Sequence, residues 1–170
     1  IAENRAGLDG GGIFGDTMGF LRLSGSTVAL NAAGSRGGGV FSDGSLFLAA
    51  ALLAENSAAV GGPDLWGGLS TRAAKNFIGD SSGAAGLTAD DLTDMDAKLG
   101  PLSNYGGPGQ DTTMFTVPLL HGSPAIDASP NLATPLATDQ RGFPRVADGD
   151  LAPGADEMDI GAWEGRTPVV

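Results

Sequence analysis

Four aspartates near the carboxyl end of the chain form the best set of candidate metal ligands. They lie in a loop-like stretch at Asp148, Asp150, Asp156 and Asp159. Calcium takes about six to eight oxygen ligands, and clustered loop carboxylates can supply them. The spacing does not match an EF-hand, because Pro153-Gly154 interrupts it. The sequence indicates no cofactor other than calcium, for which these aspartates are the candidate ligands.

Other combinations of ligands and nucleophiles have little support. His121 is the only histidine and the chain has no cysteine, which nearly excludes a zinc site. A serine–histidine–aspartate triad built from Ser123 and Asp127 is too local to reach the usual geometry. Ser123 also precedes Pro124, which indicates a turn. The sequence therefore favours a structural role for this segment.

Polysaccharide cleavage is the catalytic alternative. A glycoside hydrolase needs two carboxylates across a groove, and Asp9 and Asp16 are the available pair in the first part of the chain. Both lie beside glycine-rich corners, which favours solvated turn residues. A lyase needs carboxylates and a basic residue on one strand face, yet Arg22 aligns with Phe47 and stands alone. We expect a non-catalytic chain, with a fragment of a polysaccharide lyase or hydrolase as the alternative.

The elements that position these residues follow an internal repeat. The segment Asn4–Phe14 returns at Asn31–Phe41, and a weaker copy begins at Asn56. A period of about 25 residues that is rich in glycine and asparagine indicates a solenoid. Short apolar alternations within the period favour strands, and therefore a parallel β-helix. These alternations recur in the same phase: Leu21 and Leu23, then Leu46 and Leu48.

Asparagines and glycines mark the predicted corners of this solenoid. Asn31, Asn56 and Asn76 are expected to stack as an internal amide ladder, because asparagine accepts left-handed backbone and bonds neighbouring backbone groups. Ala49–Ala51 would suit a helix on propensity alone. The aligned Ser24–Ser26 is a poor helix sequence, so we expect no helix there.

The period disappears after Gly79. Leu87–Asp94 is expected to form one helical turn capped by Thr88, and Met114–Leu120 to form one edge strand, because it contains Pro118. The rest is a proline-rich wrap. We therefore predict an all-β chain in two parts: about three coils of parallel β-helix in residues 1–79 and a loop-rich cap in residues 80–170, packed on the last coil.

Composition limits the partners. The net charge of −11 argues against nucleic acid, whose binding needs clustered cations. No stretch reaches the ~20 apolar residues of a membrane-spanning helix. The absence of cysteine fits an extracytoplasmic bacterial protein. Since Ile1 opens within a repeat and no signal peptide precedes it, we expect the carboxyl-terminal part of a longer precursor.

Several ordered motifs resemble those of bacterial "choice-of-anchor Q" proteins. They are Leu99–Pro108, His121–Asp127, Thr138–Arg145 and Asp159–Glu164. The asparagine and glycine repeats resemble the β-helix portion of the same family. The resemblance implies a right-handed, pectate-lyase-like β-helix in a large secreted or surface protein.

The signature motifs also carry charges of both signs. Arginine binds a carboxylate through two parallel hydrogen bonds, so we expect ion pairs that hold the cap together. The overall expectation is a structural, adhesive or accessory scaffold subunit, located in the periplasm, at the cell surface or in the medium. Its expected partners are protein subunits of a larger assembly or surface glycans. The residues of the charged signature are Asp127, Asp139, Arg141, Arg145, Asp159 and Glu164.

Overall fold

The structure is a computed structural model, which describes residues 1–108, 114–130, 136–145 and 157–165. Within these residues all regular structure is β-strand and no helix occurs. The strands of this described part are β1 Arg5–Ala6, β2 Ile13–Gly15, β3 Phe20–Ser24, β4 Thr27–Ala29, β5 Ala32–Ala33, β6 Val40–Ala49, β7 Leu52–Ala54, β8 Ser57–Ala58, β9 Leu65–Ala73, β10 Phe77–Ile78, β11 Ala84–Ala85, β12 Leu92–Thr93, β13 Ser103–Asn104, β14 Phe115–Thr116, β15 Ser129–Pro130 and β16 Glu157–Met158.

Successive repeats pair side by side in three parallel sheets. Sheet 1 has the order β1-β5-β8, and sheet 2 has the order β4-β7-β10-β12. In sheet 3, β2 and β3 both pair with β6, which is followed by β9 and β11. The prediction of an all-β chain with parallel strands is confirmed.

The register of these sheets follows the sequence repeat. Thr27 pairs with Leu52, and Leu52 pairs with Phe77. Glycines occupy the positions where successive repeats come closest, because a Cβ at Gly11 would overlap the carbonyl oxygen of Gly38. The repeat therefore sets both which strands pair and where side chains are excluded.

The main hydrophobic core joins sheets 2 and 3. Val28, Leu53 and Ile78 contribute from sheet 2, while Leu23 and Leu48 contribute from sheet 3. These side chains are buried, as the alternation of apolar residues in β3 and β6 predicts.

A second core covers the opposite face of sheet 2. Leu52 and Phe77 point away from the main core and pack with Leu119, Ile160 and Trp163. These last three residues belong to the C-terminal segment, meaning the described residues between 95 and 165. Sheet 2 is thus buried on both faces, between the main core and the C-terminal segment.

The position of the C-terminal segment differs from the expected cap on the last coil. The backbone nitrogen of Gly161 donates to the carbonyl of Ala50 at 3.0 Å, and that of Ala162 donates to Thr27 Oγ1 at 2.9 Å. These contacts lie on the first and second repeats, and Phe77 of the last repeat packs against the same segment, so the segment covers more than the last coil. The reason is that Leu52 and Phe77, the outward side chains of the two middle strands, are apolar and need cover.

Parallel pairing also continues past Gly79, the expected end of the repeats. β11 pairs with β9, and β12 pairs with β10. The predicted helical turn at Leu87–Asp94 is wrong. Instead, the Asp91 nitrogen donates to the Thr88 carbonyl at 3.0 Å in a turn that leads into β12.

Short antiparallel pairs organise the C-terminal segment. β13 pairs with β14, and β15 pairs with β16. Of the strand expected over Met114–Leu120, only Phe115–Thr116 forms a regular strand, with an isolated bridge at Leu119. Nowhere in the described part of the chain is there a helix of the length and apolar character needed to cross a membrane.

Candidate functional site

A ladder of asparagines runs across sheet 1 with one direction of hydrogen bonding. Asn4 donates from its backbone nitrogen and from Nδ2 to Asn31 Oδ1, both at 2.9 Å. Asn31 donates in the same way to Asn56 Oδ1, again at 2.9 Å. The predicted contact between Asn31 and Asn56 is therefore present. The residues that precede the three asparagines have left-handed backbone: Glu3, Leu30 and Glu55.

The expected third rung at Asn76 is wrong. Asn56 donates instead to Asp64 Oδ1, at 3.0 Å from its backbone nitrogen and 2.8 Å from Nδ2. Asn76 lies at a different corner, because it immediately precedes Phe77, which pairs with Leu52. There its backbone nitrogen and its Nδ2 both donate to Asp91 Oδ1, each at 3.1 Å.

Asp64 ends the ladder by filling the space of the next asparagine. In the earlier repeats this position is Gly12 or Gly39, where a Cβ would lie 3.0 Å or 2.7 Å from the amide of the following asparagine. Asp64 places a carboxylate there instead. Sequence reasoning missed this residue, although the replacement of a repeat glycine by aspartate was a visible signal.

The environment of Asp64 opposes its ionisation. Its side chain is buried, and loss of solvation raises the pKa of Asp64 to about 6. Hydrogen bonds from Asn56 and from the Asp80 backbone nitrogen, the latter at 2.7 Å, act in the opposite direction. The carboxyl group is thus a titratable group within the interior of the repeats.

Asp139 and Arg141 form the first half of a charged cluster in the C-terminal segment. Arg141 donates to Asp139 Oδ2 from Nε at 2.9 Å and from Nη2 at 2.7 Å. Arg141 Nη2 also donates to the Glu164 carbonyl at 2.6 Å, and its guanidinium lies 3.2 Å from the centre of the Trp163 ring. The pair therefore joins residues 139–141 to residues 163–164.

Arg145, Asp159 and Glu164 form the second half of the cluster, and all three are buried. Arg145 donates to the Gly161 carbonyl at 2.7 Å, and its Nε lies 4.0 Å from Glu164 Oε2. Burial raises the pKa of Asp159, against the opposing effects of backbone hydrogen bonds from Gly165 and Asp127 and of the nearby arginines. The structure thus brings the described signature residues together, in contacts that tie loops to one another.

Three of these carboxylates have the spacing of metal ligands. Asp127, Asp159 and Glu164 each offer an oxygen within 4.8 Å of the others. Of the calcium ligands expected from the sequence, Asp159 belongs to this group. Asp148, Asp150 and Asp156 lie outside the described residues. The guanidinium of Arg145 already supplies positive charge next to Glu164.

The residues that resemble a hydrolytic triad have structural roles. The Ser123 hydroxyl is buried and donates to the Ala97 carbonyl at 2.6 Å. His121 is exposed at a turn. Asp127 is engaged with the Asp159 carboxylate through its backbone nitrogen at 2.9 Å. Ser123 and Asp127 thus hold the chain in place.

The charged residues of the repeats are dispersed. Asp9 pairs with Arg36 at 2.8 Å, while Asp16 accepts a hydrogen bond from the Met18 backbone in an exposed turn. Arg22 lies over the Phe47 ring at 4.7 Å, in the predicted alignment. Asp9 and Asp16 therefore have separate roles, one in an ion pair and the other in a turn.

An exposed apolar edge lies at the first repeat. Phe14, Met18 and Phe20 are 59%, 93% and 68% exposed. They lie on or between β2 and β3, which pair only with β6 among the described strands. These three side chains depart from the buried apolar pattern of the repeats.

Comparison of the chain with protein-family models, with curated proteins and with solved structures found no match in any of the three.

Proposed function

We propose that this chain is a right-handed parallel β-helix of the choice-of-anchor Q type, and that it serves as a non-catalytic structural, adhesive or accessory subunit of an extracytoplasmic assembly. The in-register parallel sheets and their shared core support the solenoid. The handedness is supported by the general preference of parallel crossover connections, about 98% of which are right-handed.

The observation that carries a binding role is the exposed apolar edge. Large apolar side chains gathered at one place on a protein surface mark an interaction site more often than isolated ones do. Phe14, Met18 and Phe20 belong to one repeat and lie on or between β2 and β3, whose only partner among the described strands is β6. Such an edge offers both backbone hydrogen bonds and apolar area to a protein partner.

The arrangement of charges supports a role without catalysis. Three carboxylates of the repeats have structural contacts: Asp9 lies in an ion pair, Asp64 ends the asparagine ladder, and Asp16 accepts a hydrogen bond within a turn. A glycosidase would instead hold two carboxylates about 5 to 10 Å apart across a groove. The buried carboxylates of the C-terminal segment bond to backbone nitrogens and arginines.

The proposal is tested by two measurements on the purified chain. The chain is incubated with polygalacturonate and alginate, and unsaturated products and new reducing ends are measured; we expect neither. Product that disappears in Asp9→Asn or Asp16→Asn would replace the scaffold role by an enzyme.

The second measurement concerns binding. The chain is immobilised and exposed to the extracytoplasmic fraction of its source, beside a Phe14→Ser/Phe20→Ser variant. We expect a protein that the parent retains and the variant releases. Equal retention by both would remove the exposed apolar edge as the binding site.

A further inference from the structure

We infer that the edge formed by β1, β2 and β3 binds a parallel β-segment carrying the pattern Asn-x6-Gly-Gly-x-aromatic, whose asparagine donates to Asn4. This inference deepens the proposed function, on which it rests, by naming the surface and the chemistry of its partner. Four features of the edge lead to it.

The first feature is the polarity of the asparagine ladder. Asn4 has used its backbone nitrogen on Asn31, and its Nδ2 on Asn31 and Ala2. Its Oδ1 accepts no hydrogen bond from any residue in the described part of the chain. The corresponding oxygens of Asn31 and Asn56 each accept two hydrogen bonds from the preceding asparagine. The first rung therefore presents an acceptor that fits the backbone N–H and Nδ2 of another asparagine.

The second feature is the unpaired backbone of the edge. β1 pairs only with β5, and β2 and β3 pair only with β6, among the strands of the described residues. The outer sides of these strands present N–H and C=O groups ready for a further parallel strand.

The third feature is a row of aromatic rings across sheet 3. Phe14 stacks on Phe41 with ring centres 5.2 Å apart and planes 3° apart, and Phe41 is buried. Trp66 follows Phe41 in register. The outer side of the Phe14 ring is the free end of this row. Each aromatic residue lies ten positions after its asparagine, so an incoming segment of the same pattern would place its ring on Phe14.

The fourth feature is steric, and it sets the two glycines of the pattern. A Cβ at Gly38 would overlap the Ser57 carbonyl oxygen, and a Cβ at Gly39 would lie 2.7 Å from the Asn56 amide. The corresponding positions of an incoming segment would face Gly11 and Asn4. They must be glycine for the same reason.

A second copy of the chain does not supply this partner. Two copies meeting at this edge would place Asn4 Oδ1 against Asn4 Oδ1, and both are acceptors. At the other end of the stack, Asn56 and Asn76 have given their donors to Asp64 and Asp91. The donor pair must therefore come from a different segment.

The test attaches such a segment to the full chain, because tethering raises its effective concentration. Residues 31–52 are duplicated immediately before Ile1. Ala2 pairs with Ala29 and Ala29 pairs with Ala54, so Ala2 corresponds to Ala54 and the added segment continues into the first repeat without a shift. The duplicated asparagine therefore lies in phase with Asn4. Matched controls carry Asn31→Leu or Gly38→Leu in the added copy only.

Hydrogen exchange of the β1–β3 amides and the melting temperature are then measured. We expect exchange of these amides to slow at least tenfold and the melting temperature to rise with the matching segment alone. No slowing, or equal slowing with either control, would overturn the inference. Slowing of the same amides by alginate or polygalacturonate in the unextended chain, without any effect of the segment, would assign the edge to a glycan instead. The glycan-cleavage assay is independent of this outcome, so either proposal can fail alone.

Discussion

Asp64 is a buried carboxyl group at the end of the asparagine ladder, and its ionisation affects the stability of the repeats. It accepts three hydrogen bonds from backbone and amide nitrogens, yet it is buried, and burial holds its pKa at about 6. A carboxyl group with a folded-state pKa above the unfolded value of 3.8 favours the folded state when it is protonated. Its contribution to stability is therefore full below pH 4 and falls as the pH rises through 6.

The first prediction concerns this pH dependence. Between pH 4 and pH 7, Asp64 is expected to lower the free energy of unfolding by up to about 3 kcal/mol, since each pKa unit corresponds to about 1.4 kcal/mol. Asp64→Asn keeps an acceptor for Asn56 and cannot titrate. The difference in stability between parent and variant, from urea unfolding at several pH values, should change over this range. Parallel pH profiles would show that the Asp64 pKa is not raised.

The second prediction concerns the strained backbone before the ladder asparagines. Glu55 is exposed and has a φ of 57°, a region where glycine has no steric penalty. Glu55→Gly is expected to raise the free energy of unfolding, by at most about 1 kcal/mol, because relief of strain is partly offset by the entropy of the unfolded chain. Ser57→Gly in β8, which lacks positive φ, is the matched control and should destabilise. Thermal unfolding of both variants compares them directly.

At the scale of elements, the sequences of the strands in sheet 2 indicate that both faces of the sheet are covered. Leu52-Leu53-Ala54 and Phe77-Ile78 are continuous apolar runs, which are typical of strands covered on both faces. This signal could have placed the C-terminal segment over sheet 2. The expectation of a cap on the last coil came instead from the general need to cover an open end.

The sequence predicts the register of the early repeats because the asparagines, glycine triplets and leucines recur in the same order, and these residues can be aligned in only one phase. Asn31 and Asn56, and Arg22 and Phe47, occupy corresponding positions for this reason. Prediction fails at Asn76, which precedes Phe77, the partner of Leu52, and so corresponds to Ala51 and not to Asn56. Its acceptor is an aspartate 15 residues later. The charged cluster joins loops distant in sequence, so its individual contacts could not be derived from spacing.

The third prediction tests the double cover of sheet 2. Phe77 and Ile78 are adjacent, fully buried and on opposite faces. Phe77→Ala is expected to cost about 3–5 kcal/mol and Ile78→Ala about 2–5 kcal/mol, measured by urea unfolding. Phe20→Ala, on the exposed edge, is the control and should cost much less. A Phe77→Ala cost as small as that of Phe20→Ala would mean that the outer face of sheet 2 is open.

At the scale of the whole molecule, the C-terminal segment and the repeats depend on each other. The repeats supply an apolar sheet face, and the segment supplies Ile160 and Trp163 to cover it. The segment has little regular backbone pairing of its own, so its shape relies on side-chain bonds. Asp139 is the centre of these bonds, because it accepts from Arg141, from the Phe143 nitrogen and from the Glu164 nitrogen.

Arg141 is the residue whose loss should separate the segment from the sheet. Arg141→Ala removes two bonds to Asp139 and one to the Glu164 carbonyl, and it leaves the Asp139 carboxylate buried without its guanidinium partner. Breaking such a buried pair typically costs about 3–5 kcal/mol. The first consequence should be local release of the C-terminal segment, which exposes the apolar outer face of sheet 2. Limited proteolysis should then cut this segment first, and size-exclusion chromatography should show self-association.

Arg141→Lys distinguishes the contribution of the positive charge from that of the guanidinium's hydrogen bonds and ring stacking. Lysine keeps the positive charge but cannot donate to Asp139 from two nitrogens while also stacking on Trp163, as the guanidinium does at 3.2 Å. We therefore expect Arg141→Lys to lose stability as well, though less than Arg141→Ala. If Arg141→Ala is as monomeric and as resistant to protease as the parent, the ion pair does not hold the segment. Its attachment would then rest on the apolar contacts of Ile160 and Trp163 with sheet 2, and Trp163→Ala would become the variant that releases it.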